Sequence, residues 1–144
     1  MAGAIARSGG AKSPIDVSPV KTPVRYPFTV DPNQVEICNK VAMLRDGSSI
    51  AHGFDKRIRE VMGSIVDAKK EILIANSEGL LAEDERIMCR LDFVTVAMDS
   101  TGERRTGSHG GGGRVGFEFF DEFSPDKVAK EAARMAIAQM GAIE

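Results

Sequence analysis

The clearest alternation of apolar and polar residues lies between Arg86 and Asp99, in the run RIMCRLDFVTVAMD. One set of alternate positions is almost entirely apolar: Cys89, Leu91, Phe93, Thr95 and Ala97. A period of two predicts a β-strand whose first face is buried. The other set also contains apolar residues, Val94 and Val96 among them, so we expect cover on both sides of the strand there.

Two further runs precede this strand and carry β-branched residues typical of strands, RIREVMGSIVDA from Arg57 and KEILIANSEG from Lys70. The predicted connections are short, with DAKK and NSEG between the runs and DSTGE after the third. Short polar turns between strands favour antiparallel hairpins. The sequence therefore predicts an antiparallel meander of three or four strands.

A first helix is predicted from Asp31, which is a suitable N-cap followed by Pro32 at the first helical position. Apolar residues recur at helical spacing through Val35, Cys38 and Ala42. Gly47 is expected to end this helix, and the following SSIAHGFDK is expected to add only a short helical turn.

A second helix is predicted over SPDKVAKEAARMAIAQMG, with Ser124 as N-cap and Pro125 at the first helical position. Its expected buried stripe consists of Val128, Ala132, Met135, Ala136 and Met140. Lys130 and Arg134 fall on the opposite, solvent-facing side. Together these elements indicate an α+β fold, an antiparallel meander flanked by two helices, within residues 31–144.

Residues 1–30 differ from the rest of the chain in their proline content. Prolines recur at positions 14, 19, 23 and 27, and each fixes its own φ and favours an extended preceding residue. We expect an extended, proline-rich connector here, with a helical remnant near residues 4–7.

Composition excludes several classes of partner. The chain has 144 residues and a formal net charge of -2, which gives no electrostatic argument for nucleic acid. No apolar run approaches the ~20 residues of a membrane span, and the N-terminus lacks the pattern of a signal peptide. With only two cysteines, Cys38 and Cys89, free thiols and a cytoplasmic location are expected.

The run TGSHGGGGRVGFEFFDEFSP is the most unusual feature of the chain. It contains a G-x-G-x-x-G match, but the preceding buried strand and following helix of a dinucleotide fingerprint are missing. A phosphate-binding loop needs a lysine after its glycines, and there is none between Lys70 and Lys127. His52 and His109 belong to no zinc-binding pattern.

Two interpretations of the glycines remain open. A glycine-rich strand at the edge of a sheet would let another chain approach its backbone and pair with it. Alternatively, the glycines form a slack linker between a strand and a helix.

A long stretch of the chain resembles the TldD/PmbA family of zinc metallopeptidases, whose members are also called modulators of DNA gyrase. The resemblance is carried by EILIANSEGLLAEDER, CRLDFVTVAMDSTGERRTGSHGGGGRVGFEFF and AKEAARMAI. The run SHGGGGRVGFEFF is similar to the signature of the TldD branch. This resemblance covers about residues 54–140.

The resemblance implies a cytoplasmic peptidase that acts on short or unfolded peptides and works as a homodimer or a TldD–TldE heterodimer. It also implies zinc, held in the family by the two histidines of an H-E-x-x-x-H motif and a distant cysteine. That motif is absent from this sequence. No catalytic or metal-binding residue is therefore assigned, and the chain is interpreted as a fragment from the late N-terminal domain of a larger enzyme.

Our hypothesis for the site is that residues 106–114 form an edge bordering the peptide channel of the parent enzyme. The candidate substrate-binding residues are Gly110, Gly111, Gly112, Gly113 and Arg114. Phe117, Phe119 and Phe120 are expected to anchor this segment, the first two on one face if the backbone is extended. The alternatives are a non-catalytic module for peptide binding or dimerisation, and a gyrase-binding regulator.

Overall fold

A computed structural model describes residues 18–20 and 26–142. Its strands are β1 (Ser18–Val20), β2 (Ile58–Ala75), β3 (Leu80–Met98) and β4 (Arg104–Gly113). Its α-helices are α1 (Ile37–Phe54), α2 (Phe119–Glu122) and α3 (Pro125–Met140), and a short 3-10 helix occupies Pro32–Gln34. The four strands form one sheet flanked by helices, which confirms the predicted α+β class.

The chain divides into two compact units, one of Met1–Val24 and Glu71–Glu85, the other of Arg25–Lys70 and Arg86–Glu144. In the first unit, β1 pairs in parallel with β3 in the register Ser18↔Leu80. The predicted NSEG turn is confirmed, because the Asn76 side-chain oxygen accepts hydrogen bonds from the N–H groups of Glu78 and Leu80 and Gly79 has a φ of 88°. The predicted helical remnant and most of the connector lie outside the described residues.

In the second unit, β3 supplies the centre of the core. Its predicted inward face is confirmed: Cys89, Leu91, Phe93, Thr95 and Ala97 are all at most 1% exposed. On the other face, Val94 and Val96 remain partly exposed, so complete cover of this face is not found among the described residues. This second face is nevertheless apolar over several residues.

Strand β2 corrects the predicted turn at DAKK, because it continues without interruption through those residues. Asp67 and Lys69 fall on the inward face, and each finds a partner of opposite charge. The Lys40 ammonium lies 2.9 Å from Asp67, and the Lys69 ammonium lies 3.6 Å from Asp31. Paired charges can be tolerated inside, so the polar residues do not require a turn.

Helix α1 corrects the predicted stop at Gly47. Asp31 does act as a cap, but for the 3-10 helix, where its carboxylate accepts the Asn33 N–H at 2.8 Å. The α-helix then runs through Gly47 to Phe54. A β-carbon at Gly47 would lie 2.5 Å from the Phe93 ring, so this glycine serves close packing instead of helix termination.

Helix α3 begins at Pro125 as predicted, although the Ser124 side chain makes no capping hydrogen bond. Val128, Ala132 and Ala136 are buried as expected, and so are Ala129 and Ala133. Met135 and Met140 are only partly buried. The small side chains allow α3 to pack closely on β4 and against α1.

The phenylalanine segment corrects another expectation. It is not extended, because Phe119–Glu122 forms a short helix. Phe120 is 4% exposed, with the Phe117 and Phe119 rings in edge contact at centroid distances of 4.8 and 5.4 Å. The aromatic cluster therefore packs from a turn and a helix, and it closes one end of the core.

Candidate functional site

The glycine run is a strand. Residues 104–113 pair antiparallel with β3, from Met98↔Arg104 to Cys89↔Gly113. Among residues 18–20 and 26–142, β4 pairs with β3 alone, so its other edge has no strand partner. The glycine run is therefore a strand at an edge of the described sheet and not a slack linker, while its pairing with another chain stays a prediction.

Two backbone hydrogen bonds show which residues turn toward this free edge. The Asp99 N–H donates to the Glu103 carbonyl at 3.1 Å, on the β4 side, whereas the Met98 N–H donates to the Arg57 carbonyl at 2.8 Å, on the β2 side. Antiparallel pairs alternate between bonded and non-bonded, so every second residue of β4 directs its N–H and C=O away from β3. These residues are Arg104, Thr106, Ser108, Gly110 and Gly112.

Toward its C-terminal end, the free edge presents backbone atoms with few side chains. Ser108, Gly110 and Gly112 are all exposed. The last two have no β-carbon, so only backbone atoms are presented there. Arg114 follows the strand, is exposed, and has its guanidinium carbon 5.1 Å from the centre of the Tyr26 ring.

One face of the glycine run is covered by an ion pair from β3. Arg90 donates two hydrogen bonds to Asp92, at 2.6 and 2.7 Å. A β-carbon at Gly110 would collide with the Asp92 carboxylate, and one at Gly112 would lie 2.9 Å from the Arg90 β-carbon and 2.7 Å from the Cys89 carbonyl oxygen. These glycines therefore accommodate the neighbouring strand of the same chain.

The other face is covered by helix α3 and by Phe123, which lies between α2 and α3. A β-carbon at Gly111 would lie 2.9 Å from the Phe123 ring, and one at Gly107 would collide with the backbone of Ala132 and Ala136 in α3. The Thr95 hydroxyl strengthens this contact by donating to the Ala132 carbonyl at 2.9 Å. Gly113 differs, because its nearest neighbour would be Val115 at 3.4 Å, an ordinary contact.

Glu118 holds the segment after β4 in place. Its carboxylate accepts hydrogen bonds from the N–H groups of Val30 at 2.9 Å, Thr29 at 3.1 Å and Gly116 at 3.2 Å. Burial acts to raise the pKa of Glu118, but these backbone donors outweigh it and the pKa is lowered. The Phe117 N–H completes the attachment by donating to the Val30 carbonyl at 2.8 Å.

The described part of the chain does not fit a zinc site. Within residues 18–20 and 26–142, no three side chains of His, Cys, Asp or Glu are grouped so as to hold a metal ion. Cys38 is exposed on α1, whereas Cys89 is buried, and burial raises the pKa of its thiol to about 11. His52 is exposed near the end of α1, and His109 lies on β4. No hydrolytic step is therefore derived from these residues.

The structure brings together the predicted site residues Gly110, Gly111, Gly112 and Gly113 in one strand, with Arg114 directly after it. Sequence reasoning missed the contribution of Arg90 and Asp92, which cover that strand. A signal for them existed, since opposite charges two residues apart in a strand share one face. The contact between Phe123 and Gly111 was not predicted, because the two residues are too far apart in the sequence for a local pattern to link them.

Within residues 18–20 and 26–142, no helix combines the length and the apolar character that crossing a bilayer requires.

Comparison with known proteins identifies the family. A sequence model described as the PmbA/TldA metallopeptidase central domain matches residues 30–140. A metalloprotease TldD homolog of Haemophilus influenzae is 33% identical over 109 residues, covering 72% of this chain and 22% of that protein. One from Buchnera aphidicola subsp. Acyrthosiphon pisum is 30% identical over 112 residues, covering 73% and 23%.

A solved structure has a similar fold. The crystal structure of a Thermotoga maritima protein named as a modulator of a DNA gyrase superposes with a TM-score of 0.65 at 22% identity. The superposition covers 86% of this chain and 27% of the other. The chain thus spans less than a quarter of the length of the curated relatives it matches.

The family model that matches residues 30–140 is described as a central domain. The resemblance of the sequence, in contrast, predicts a part of the late N-terminal domain. That match extends over most of the chain, and it agrees with the TldD relatives and with the resemblance carried by SHGGGGRVGFEFF. This chain belongs to the PmbA/TldD family of metallopeptidases.

Proposed function

We propose that this domain binds an extended peptide by adding it as a strand to the free edge of β4. The parent protein would be a zinc metallopeptidase that hydrolyses short or unfolded peptides. The observation that carries the proposal is the row of backbone groups at Thr106, Ser108, Gly110 and Gly112, which face away from β3 with no described strand to pair with. Strand addition uses such groups for affinity, whereas any specificity for the peptide's sequence comes from pockets that receive its side chains.

The glycines favour this function in a way that differs from the original hypothesis. They are required by the chain's own packing, because Asp92, Arg90 and Phe123 lie against them. The consequence is a strand fixed firmly on both faces whose edge still exposes its backbone. A rigid edge loses little conformational entropy when a peptide pairs with it, which favours binding.

Arg114 is proposed to assist at the end of the edge. Its exposed guanidinium can donate to a carbonyl or to a terminal carboxylate of the peptide. The aromatic ring of Tyr26 beside it limits the positions that the guanidinium adopts.

Zinc is proposed for the parent protein and not for this chain. The described residues provide no ligand group for it, so the hydrolytic chemistry would be supplied elsewhere in the parent. A homodimer or a TldD–TldE heterodimer and a cytoplasmic location remain part of the same proposal. The likeness to the Thermotoga maritima protein, at 22% identity, shows the fold alone, so its gyrase name is not transferred.

A non-catalytic dimerisation module is the second candidate, and the same free edge favours it. A second copy of β4 could pair with the first across a two-fold axis, since an antiparallel edge is self-complementary. Binding of peptide and pairing of copies would then compete for the same backbone groups.

Peptides methylated at alternate amide nitrogens test the proposal without altering the protein. Strand addition uses the N–H groups of every second peptide residue. Two sets of peptides are compared, one N-methylated at odd-numbered residues and the other at even-numbered residues. We expect one set to lose binding in fluorescence polarisation and the other to retain it. Equal binding of both sets would refute strand addition.

A variant of the protein provides the matching test. Ser108→Pro removes an N–H that faces the free edge, and proline is tolerated in edge strands when its nitrogen faces solvent. Ser108→Ala changes the side chain and keeps the N–H, so it is the control. We expect only the proline variant to lose peptide binding, with circular dichroism unchanged in both. If peptides fail to bind the wild type and sedimentation shows dimers that Ser108→Pro disrupts, the dimerisation module is correct.

A further inference from the structure

A cavity of about 600 Å³ lies beside the C-terminal end of β4, lined by Val115, Glu118, Phe119, Asp121, Glu122 and Phe123. This volume falls within the range of small-ligand pockets, roughly 300–1,000 Å³. Two of the lining residues touch the glycine run, since a β-carbon at Gly111 would meet Phe123 and one at Gly113 would meet Val115. The cavity therefore adjoins the face of β4 on which Gly111 lies.

The cavity wall is aromatic. The rings of Phe119 and Phe123 stack with their centroids 5.0 Å apart and their planes at 30°. Both rings are partly exposed, so their surfaces are accessible from the cavity. Aromatic faces attract the methylene groups of long side chains and, through the ring quadrupole, cations.

The charged lining of the cavity is entirely acidic. The Glu118 carboxylate accepts hydrogen bonds from backbone N–H groups. Among the described residues, the exposed carboxylates of Asp121 and Glu122 form no ion pair. The nearby Lys127 ammonium donates a hydrogen bond to the backbone carbonyl of Glu122 at 3.4 Å. The combination of aromatic wall and unpaired carboxylates is complementary to a long cationic side chain.

A peptide on the edge of β4 would bring such a side chain to this place. Directly opposed residues of neighbouring strands project on the same face, about 4.8 Å apart. A peptide residue opposite Gly111 would thus extend on the cavity side, and no side chain at Gly111 would block it. Lysine and arginine lay their aliphatic stems along apolar surface while the charged end remains near solvent and carboxylates.

We infer that this cavity is a specificity pocket that selects peptides with a lysine or arginine side chain at the residue paired with Gly111. The inference rests on the proposed strand addition and names the class of peptide that the edge prefers. The residues that line the pocket do not belong to β4, so substitutions in the pocket can test selection without changing the backbone groups that capture the peptide.

The test uses the full chain and three fluorescein-labelled octapeptides of threonine and valine, with lysine, norleucine or glutamate at one central position. Norleucine has a stem like that of lysine without the charge. We expect the lysine peptide to bind about tenfold more tightly than the norleucine peptide, and the glutamate peptide to bind most weakly. Asp121→Asn and Glu122→Gln should each weaken the lysine peptide by about threefold and leave the norleucine peptide unchanged.

Asp46→Asn is the matched control, because it removes the same charge from an exposed position on α1. An equal effect of Asp46→Asn would show that only net charge matters and would overturn the pocket. Equal affinities for all three peptides would also overturn it, while leaving strand addition intact. If no peptide binds, the proposed capture fails, and the pocket loses its basis with it.

Discussion

The neighbouring glycines at 112 and 113 should respond in opposite ways to the smallest side chain. A β-carbon at Gly112 would lie 2.7 Å from the Cys89 carbonyl oxygen and 3.1 Å from the Arg90 α-carbon. Both are backbone atoms of the paired strand, so relief requires the two strands to separate locally. At Gly113 the β-carbon would meet the Val115 side chain at 3.4 Å, an ordinary contact, and no other atom of residues 18–20 and 26–142 beyond its chain neighbours lies within 4 Å.

The magnitudes follow from these contacts. Forcing an extra carbon into a packed site costs typically 1–3 kcal/mol, so we expect Gly112→Ala to lower the free energy of unfolding by roughly 2 kcal/mol. Alanine in an unobstructed strand position gains about 0.5–1 kcal/mol over glycine, because it restricts the unfolded chain. Gly113→Ala should therefore raise the free energy of unfolding by about 0.5 kcal/mol.

Urea denaturation followed by circular dichroism measures both values. In a thermal melt, a difference near 2.5 kcal/mol corresponds to roughly 5–10 °C between the two variants, at about 2–4 °C per kcal/mol. If both variants unfold within about 0.5 kcal/mol of wild type, the glycines do not form a tightly paired strand, and the account of this segment is wrong.

Other substitutions and conditions test the remaining contacts. Gly107→Ala should destabilise by about 3 kcal/mol or more in urea denaturation, since its β-carbon would collide with the α3 backbone. A β-carbon at Gly53 would meet no described residue outside its own helix within 4 Å, so Gly53→Ala should stabilise by about 0.5–1 kcal/mol. Similar values for both variants would contradict the packing. Because the pKa of Glu118 is lowered in the folded state, its stabilisation is present above the unfolded pKa and is lost as pH falls through the folded value. Glu118→Gln should therefore lose stability at neutral pH and show less acid dependence in melts between about pH 3 and pH 7 than wild type; parallel curves would be the contrary result. Metal analysis after dialysis should find no stoichiometric zinc, and one zinc per chain would refute this. Sedimentation should reveal association driven by the exposed apolar side chains of β2, and Met62→Ser with Val66→Thr should reduce it; a concentration-independent monomer would count against it.

Local patterns were sufficient for the parts of the fold that obey one period. The alternation in β3 identified its buried face, and Ser124 with Pro125 located the start of α3. The NSEG turn was equally recoverable, because asparagine and glycine have specific roles in turns. In each case the residues that determine the structure lie within a few positions of one another.

The errors share a physical cause, which is that distant contacts decided the local structure. Gly47 remains inside α1 because the Phe93 ring fills the space beside it. DAKK remains in a strand because Asp67 and Lys69 find partners on α1 and beside the 3-10 helix. Neither partner could be identified from the neighbouring residues, so local propensity favoured a helix stop and a turn.

The sequence predicted a close approach at the glycine run, and it did not predict which groups make that approach. The run of glycines showed where the backbone must be approached closely, but the sequence alone did not show by what. The structure identifies the close neighbours as Asp92, Arg90 and Phe123. Glycines that satisfy internal packing can still leave an edge free for a partner, because the faces of a strand and its edge are different surfaces.

A free edge beside covered faces would allow a domain of this family to bind peptides of many sequences, as we propose. Side chains select, whereas backbone groups do not, so an edge whose last residues are glycines offers hydrogen bonds without demanding any particular side chain opposite. Such an edge would be mobile and costly to order if the glycines were unsupported. Here Arg90 and Asp92 on one face, with Phe123 on the other, supply the support that the missing side chains cannot. Selection, where it occurs, must then come from pockets beside the edge, which is the role we assign to the cavity at Phe119 and Phe123.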